Sequence, residues 1–175
     1  MKKPHPILVM VSGPALSGKS TLLARISNEV IKMKIVSTDD LRMELYQSYE
    51  FKLDKEPEIW ATAYKRINQF LEKGHVVAID ATLRSRQLRQ EILKRYKDYP
   101  ILYLAFEKPT LTTLMQRNEL RKWKQFSTEV VKKMHDDYEF PSTSEQKGYT
   151  KFFVIKSSGL ETTIVNIVQW LHQEH

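Results

Sequence analysis

Residues 7–21 read ILVMVSGPALSGKST, and this stretch decides the fold of the 175-residue chain. The apolar run at residues 7–11 is rich in β-branched side chains and predicts a buried strand. The next residues, 13–20, fit the pattern G-x-x-x-x-G-K-[ST] in full, and helical spacing begins at Lys19. The sequence therefore predicts a strand, a glycine-rich loop and a helix in direct succession.

A loop at this junction is suited to bind phosphate groups. Its backbone N–H groups turn inward, and it ends at the positive N-terminus of a helix. We expect Lys19 to reach the β- and γ-phosphates of ATP and Ser20 to coordinate Mg²⁺. The alternative is a strand-to-helix turn that binds no ligand. The residues assigned to nucleotide binding are Gly13, Pro14, Ala15, Leu16, Ser17, Gly18, Lys19, Ser20 and Thr21.

Apolar runs alternate with amphipathic segments along the rest of the chain, as in βαβ units with a parallel sheet. Further strands are predicted at residues 34–37, 75–79, 101–106 and 152–155. Helical spacing predicts helices over residues 19 to about 31, 57 to about 72, 85 to about 96, 110 to about 122, 128 to about 138 and 160 to about 172. We expect one three-layer α/β domain over residues 1–175, with a flexible loop at 139–150.

Composition excludes several kinds of chemistry. The chain has no cysteine, which rules out disulfides, thiolate nucleophiles and thiolate metal sites, and its five histidines lack paired metal-ligand spacing. The formal net charge of +7 favours acidic partners such as nucleic acid or phosphates. The first apolar run is short for a signal peptide, and nothing approaches the ~20 apolar residues of a membrane span. We expect a soluble, cytoplasmic protein with no membrane contact and no disulfide-linked partner.

Asp80 follows four apolar residues of the predicted third strand. Ligands of open α/β sheets bind at the carboxyl ends of strands, where this carboxylate is expected. With the Ser20 hydroxyl it would supply oxygen ligands for Mg²⁺ and contribute to the substrate site. The alternative is an aspartate that only caps the next turn.

Asp39 and Arg42 follow the predicted second strand. At the carboxyl edge of the sheet, Asp39 would take the proton of an acceptor hydroxyl, and Arg42, three residues later on a helical turn, would hold a phosphate or neutralise charge. This pair suits phosphoryl transfer to an alcohol, whereas a hydrolase would need a residue that orients water. The alternative is that Asp39 or Asp40 is the N-cap of the following helix.

Two basic segments are further candidates. Arg117 and Arg121 lie four residues apart, and a lid at about residues 115–128 would place them over the γ-phosphate of ATP. The alternative is a plain surface helix. Residues 84–97, with Arg84 assigned to the substrate, would track a polynucleotide backbone or bind a single phosphate. An exposed amphipathic helix explains this segment equally well.

No aromatic residue can be identified from the sequence as a stacking platform for single strands. The candidates are mostly compatible with core or rim positions. They are Tyr46, Tyr49, Phe51, Trp60 and Trp123.

The motifs resemble, in order and approximate spacing, the kinase domain of phage-type polynucleotide 5′-hydroxyl kinases, within the AAA-like group of small P-loop kinases. The resemblance reaches to about Pro141 and implies a five-stranded parallel sheet of order 2-3-1-4-5 with a helical lid. It implies ATP- and Mg²⁺-dependent transfer to a 5′-hydroxyl group. The motifs are residues 13–21, 38–42 and 79–82 and Arg117-x-x-x-Arg121.

The same resemblance implies a role for each matching residue. Lys19 and Ser20 serve ATP and Mg²⁺, and Asp80 supports the metal site. Asp39 is the general base, Arg42 holds the acceptor's 3′-phosphate, and Arg121 is the lid arginine. The chain departs from the family pattern at Thr38, where the phage enzyme has a basic residue, and at Thr82-Leu83, which replace a common Asn.

The scaffold is similar to antibiotic, sugar-nucleotide and aminoacyl-tRNA kinases as well. The expected function is therefore transfer of the γ-phosphate of ATP to an alcohol, with a DNA or RNA 5′-hydroxyl ahead of a nucleoside, sugar or antibiotic. Two alternatives come from other classes of protein. One is a nucleotide-regulated binding module without transferase activity, and the other is a nonspecific nucleic-acid-binding protein with incidental ATPase activity.

Overall fold

Five parallel strands form one sheet in the computed structural model, which describes residues 5–122 and 125–175. The sheet order is β2-β3-β1-β4-β5. Both the predicted strands and the order 2-3-1-4-5 are confirmed, and the strand ends differ from prediction by one residue at most. The strands are β1 (Ile7–Ser12), β2 (Lys34–Ser37), β3 (Val76–Asp80), β4 (Ile101–Phe106) and β5 (Lys151–Ile155).

Helices connect the strands. The six predicted helices are present, and the described residues form two more: α2, directly after β2, and the single-turn α7. Ser37 is the N-cap of α2, since its Oγ accepts a hydrogen bond from the Asp40 N–H at 3.2 Å. The idea that Asp39 or Asp40 provides this cap is therefore wrong. The helices are α1 (Lys19–Glu29), α2 (Thr38–Tyr46), α3 (Glu56–Glu72), α4 (Arg86–Arg95), α5 (Leu111–Glu119), α6 (Thr128–Asp136), α7 (Thr143–Gln146) and α8 (Leu160–Glu174).

Alternate residues of the strands enter two separate apolar layers, as the two-residue period of a strand requires. Val9 of β1 packs with residues of α1 and α8 on one face. Met10, the next residue, packs with residues of α2, α3 and α4 on the other. Because both faces are covered, β1, β3 and β4 are apolar almost throughout, and the predicted three-layer arrangement is confirmed.

The strand register brings the functional loops to one edge of the sheet. Ser37 at the end of β2 lies opposite Asp80 at the end of β3, and Ser12 at the end of β1 lies opposite Ala105 near the end of β4. The segments after β1, β2 and β3 therefore start side by side at the carboxyl edge, the usual ligand-binding edge of an open parallel sheet.

Residues 139–150, the predicted flexible loop, contain the single-turn helix α7, and two buried side chains, Glu145 and Tyr149, anchor the segment to the core. Most of the other residues of the segment are exposed. The Arg89 guanidinium donates to the Glu145 carboxylate at 2.6 and 3.1 Å, and both side chains are 1% exposed. Arg89 is thus a core residue and not one of the surface cations of the segment 84–97. Arg89 and Glu145 are far apart in the sequence, so no sequence pattern predicts that they form a pair.

Among the described parts of the chain, no helix has both the length and the apolar character needed to cross a bilayer.

Candidate active site

The loop between β1 and α1 has the backbone form of a phosphate-binding loop. A Cβ atom at Gly13 would lie only 2.9 Å from the Phe106 Cβ, so only glycine fits there. Gly18, the N-cap of α1, has a φ of 103°. Leu16 also has a positive φ, of 68°, which is uncommon for a side chain of this type and occurs where the surroundings impose the conformation.

Lys19 is buried, and its ammonium group bonds to the loop itself. Nζ donates to the carbonyl oxygens of Gly13 and Pro14, at 2.9 and 2.7 Å. These bonds keep a buried cation hydrogen-bonded at the floor of the loop. The side chain lies within the concave site that the motif predicts for phosphate groups.

The Ser20 hydroxyl and the Asp80 carboxylate both line the same cavity. Burial raises the pKa of Asp80, while the neighbouring Ser20 hydroxyl and the Lys19 charge act in the opposite direction. Partial burial disfavours a negative charge on this carboxylate when no cation balances it. Together with the hydroxyl, the carboxylate offers the oxygen ligands that a hard cation prefers. The two predicted metal ligands are thus brought together.

Asp39 and Arg42 are in contact, as the helical spacing predicts. Arg42 Nη1 donates to Asp39 Oδ1 at 2.7 Å. A third residue, Glu56 in the first turn of α3, accepts from Arg42 Nε at 2.8 Å and from Nη2 at 2.9 Å. Sequence reasoning missed Glu56, because α3 is distant in the chain and its acidic first turn is typical of any helix N-terminus.

The lid region differs from prediction at its C-terminal end. Helix α5 ends at Glu119, so Arg121 lies beyond it and does not share a helical face with Arg117. The Asn118 side chain brackets Phe126, with hydrogen bonds of 2.8 and 2.9 Å to its backbone groups. The Arg121 guanidinium lies 5.8 Å from the Phe126 ring. Residues 123 and 124 of the predicted lid, Trp123 among them, lie outside the described residues.

Arg117 contacts the phosphate-binding loop directly. Its Nη1 donates to the carbonyl oxygens of Leu16 and Ser17, at 2.9 and 3.1 Å. The loop and α5 are thereby joined. These contacts place Arg117, a predicted nucleotide-binding residue, at that loop.

One cavity of about 560 Å³ brings the predicted groups together. Arg84 is not among its lining residues. Its guanidinium lies instead beside the Asp137 carboxylate, at 3.5 Å. The sequence also gave no indication of Phe106, Phe126 and Leu160, which add apolar walls to the cavity. The predicted site residues that line it are Ala15, Leu16, Ser17, Gly18, Lys19, Ser20, Thr21, Asp39, Arg42, Asp80, Arg117 and Arg121.

A family model described as an AAA domain matches residues 8–141 of the chain. The chain belongs to this AAA domain family. Its sheet order and phosphate-binding loop are those of the predicted P-loop kinase fold, which is confirmed. A search of curated protein sequences gave no match.

Solved structures with this fold include several small kinases. A chain of the Pnkp1/Rnl/Hen1 RNA repair complex is 22% identical, with a TM-score of 0.67, over 76% of this chain and 44% of that one. Our chain thus spans less than half the length of that relative. Kti12 of Chaetomium thermophilum, in complex with ADP-AlF3, is 14% identical, with a TM-score of 0.72, over 95% of this chain and 98% of Kti12. A gluconokinase from Sinorhizobium meliloti 1021 is 14% identical, with a TM-score of 0.65, over 99% of this chain and 94% of the gluconokinase.

Proposed function

We propose that this AAA domain protein is a kinase that transfers the γ-phosphate of ATP to an alcohol, with a polynucleotide 5′-hydroxyl as the acceptor. The observation that carries the proposal is the shared cavity of Lys19 and Asp39. The first residue is the phosphate-binding lysine of the motif, and the second is a half-exposed carboxylate in the first turn of α2, directly after β2. A phosphate donor and a hydroxyl acceptor can therefore meet in one cavity.

The roles of the residues follow from their chemistry. Backbone N–H groups of the loop and the Lys19 ammonium would bind the phosphate oxygens. The Asp39 carboxylate would accept the proton of the acceptor hydroxyl. The hydroxyl oxygen would bond to the γ-phosphorus while the bond between that phosphorus and the bridging oxygen of the β-phosphate breaks, so that ADP leaves. Arg117 and Arg121 would neutralise charge on the transferred group. The predicted contact of Arg42 with an acceptor phosphate belongs to this proposal as well.

The residues present fit Mg²⁺. Among the described residues, no group of three or more His, Asp or Glu side chains could hold a metal alone. A hydroxyl and one carboxylate are nevertheless what Mg²⁺ uses when phosphate oxygens and water complete its shell, and Ser20 and Asp80 supply that pair. When bound, Mg²⁺ neutralises charge on the β- and γ-phosphate oxygens.

Two substitutions test the transferase assignment. Lys19→Ala should reduce label transfer from [γ-³²P]ATP by at least about 100-fold, since it removes a charge partner of the transferred group. Asp39→Asn should reduce transfer by about 10²- to 10⁴-fold and leave ATP binding intact. The matched controls are Lys65→Ala, on the exposed side of α3, and Asp40→Asn, the adjacent carboxylate in α2. Full transfer by Lys19→Ala, or ATP binding without acceptor-dependent ADP release in the wild type, would contradict the proposal.

The polynucleotide acceptor is supported by the chain's charge and by its relatives. The net charge is +7, and one structural relative comes from an RNA repair complex. The acceptor test offers 5′-hydroxyl DNA, 5′-hydroxyl RNA, nucleosides and a metabolite extract, each with labelled ATP. Labelled oligonucleotide is the expected product, and label in small metabolites alone would overturn this acceptor.

A small-molecule kinase is the second candidate. The observation in its favour is the likeness to the gluconokinase, which covers nearly the whole of both chains. In the same acceptor test, this candidate predicts labelled sugar or nucleoside and unlabelled oligonucleotide.

A further inference from the structure

Phe51 is an exposed aromatic residue that the apolar core does not explain. It lies between α2 and α3, and 53% of its surface is open to solvent. Its neighbours are charged: the Arg42 Cζ lies 5.8 Å from the centre of the Phe51 ring, and the Arg84 Cζ lies 6.0 Å from it. Such cation–π contacts hold the ring in place while leaving much of it accessible.

The ring is close to the proposed general base. Arg42 connects the two, since its Nη1 donates to Asp39 at 2.7 Å while its Cζ faces Phe51. Arg42 itself is fixed, because its side chain is 11% exposed and Glu56 holds it with two further bonds. Asp39 and Phe51 therefore share a contact with Arg42, so an acceptor that extends past Arg42 from Asp39 would reach the ring.

Arg84 is a second, more accessible cation near the Phe51 ring. Its side chain is 44% exposed, and its distance to Asp137 is 3.5 Å, longer than a strong charge-assisted hydrogen bond. Asp137 is shared with Lys133, at 3.1 Å. The Arg84 backbone is held by the Glu139 N–H, which donates to its carbonyl oxygen at 3.0 Å. The Arg84 backbone is therefore fixed, and the guanidinium N–H groups are available to an anion.

We infer that Phe51 and Arg84 form a subsite for the first nucleotide of the acceptor. The Phe51 ring stacks on the 5′-terminal nucleobase, and Arg84 joins Arg42 in binding the phosphate that follows it. The inference rests on the proposed polynucleotide function. A planar ring and a cation side by side match a base and its phosphate, and stacking on a phenyl ring suits any base because every base has a π-face.

The test compares two 5′-hydroxyl oligonucleotides that differ only in their first nucleotide, which is intact in one and abasic in the other. Initial rates of label transfer from ATP give KM and kcat for each. Phe51→Ala should raise KM for the intact acceptor by about 5- to 150-fold, the range for loss of one base–aromatic stack, and leave KM for the abasic acceptor unchanged. Phe51→Trp should keep the wild-type KM to within about threefold. Leu53→Ala is the matched control, because Leu53 is an even more exposed apolar residue of the same loop.

Failure of the proposed subsite and failure of the proposed kinase function would give different results. An equal rise of KM for both acceptors, or no rise for either, would overturn the stacking role of Phe51 while leaving the kinase intact. If Arg84→Ala leaves KM and its salt dependence unchanged, the phosphate contact is wrong. Wild-type protein that labels neither oligonucleotide would refute the polynucleotide acceptor, and the subsite with it.

Discussion

Glu56 holds Arg42 through two parallel hydrogen bonds, of 2.8 Å from Nε and 2.9 Å from Nη2, while Arg42 Nη1 bonds to Asp39 at 2.7 Å. The first turn of α3 is thereby joined to the first turn of α2. Bidentate pairs fix direction as well as distance, so the orientation of Asp39 depends on a carboxylate in another helix. Glu56 is a positioning residue for the proposed base.

Glu56→Gln should lower kcat by about tenfold and leave the KM for ATP unchanged, because an amide removes the negative charge and one of the two oxygens that accept from Arg42. Steady-state transfer rates measure the split between kcat and KM. The control is Glu58→Gln in the same turn, whose carboxylate accepts from the Tyr46 hydroxyl instead. Equal losses in the two variants would show that the first turn of α3 matters only for folding.

Arg117→Ala should weaken Mg²⁺–ATP binding by about tenfold, the equivalent of 1.4 kcal/mol. The substitution removes the donor that bonds the Leu16 and Ser17 carbonyl oxygens and takes a positive charge away from the loop. Titration calorimetry measures the dissociation constant. Gln116→Ala, at the preceding exposed position of α5, is the control and should bind as the wild type does. Unchanged affinity in Arg117→Ala would make its loop contacts incidental.

Asp80→Asn should stabilise the free protein at pH 7 while weakening Mg²⁺–ATP binding. Burial raises the pKa of Asp80 in the folded state, so the ionised form opposes folding. This folding penalty grows as the pH rises from the pKa of Asp80 in the unfolded chain to its pKa in the folded protein, and it stays constant at higher pH. The gain in melting temperature should therefore be smaller near pH 4 than at pH 7, in thermal unfolding without ligand. A lower melting temperature for Asp80→Asn at pH 7 would contradict this account.

Much of the fold could be predicted because its signals are local. The residues of β1 and β3 are apolar in a continuous run, as buried parallel strands require, and Gly13 and Lys19 lie at fixed positions of a loop motif. Asp80 could be placed at the carboxyl edge because it ends such a run. These features depend on neighbours in sequence, which a single chain displays.

The rest depends on partners brought together by folding. Nothing near Glu56 or Glu145 in the sequence identifies Arg42 or Arg89 as its partner. The helical pattern continues past Glu119, yet α5 ends there, and the Asn118 side chain bonds to the backbone of Phe126. A side chain that bonds to backbone groups outside its own helix can end that helix, and the spacing of apolar residues gives no sign of such a bond.

Arg89→Met should lower the free energy of unfolding by about 3–5 kcal/mol, because it leaves the Glu145 carboxylate buried without its cation. It also removes the donor that bonds the carbonyl oxygens of Leu83, Arg84 and Glu139. The control is Arg66→Met, which breaks an exposed pair with Glu44 and should cost about 0–1 kcal/mol. Urea unfolding measures both.

The double variant Arg89→Met/Glu145→Leu separates the two contributions to this loss. It removes the unpaired buried charge, so stability should recover in part, whereas the three carbonyl oxygens still lack their donor. Full recovery would mean that the carbonyl bonds contribute nothing. No recovery would mean that the lost carbonyl bonds, together with the Tyr149 hydroxyl that loses Glu145 as its acceptor, outweigh the gain from removing the charge.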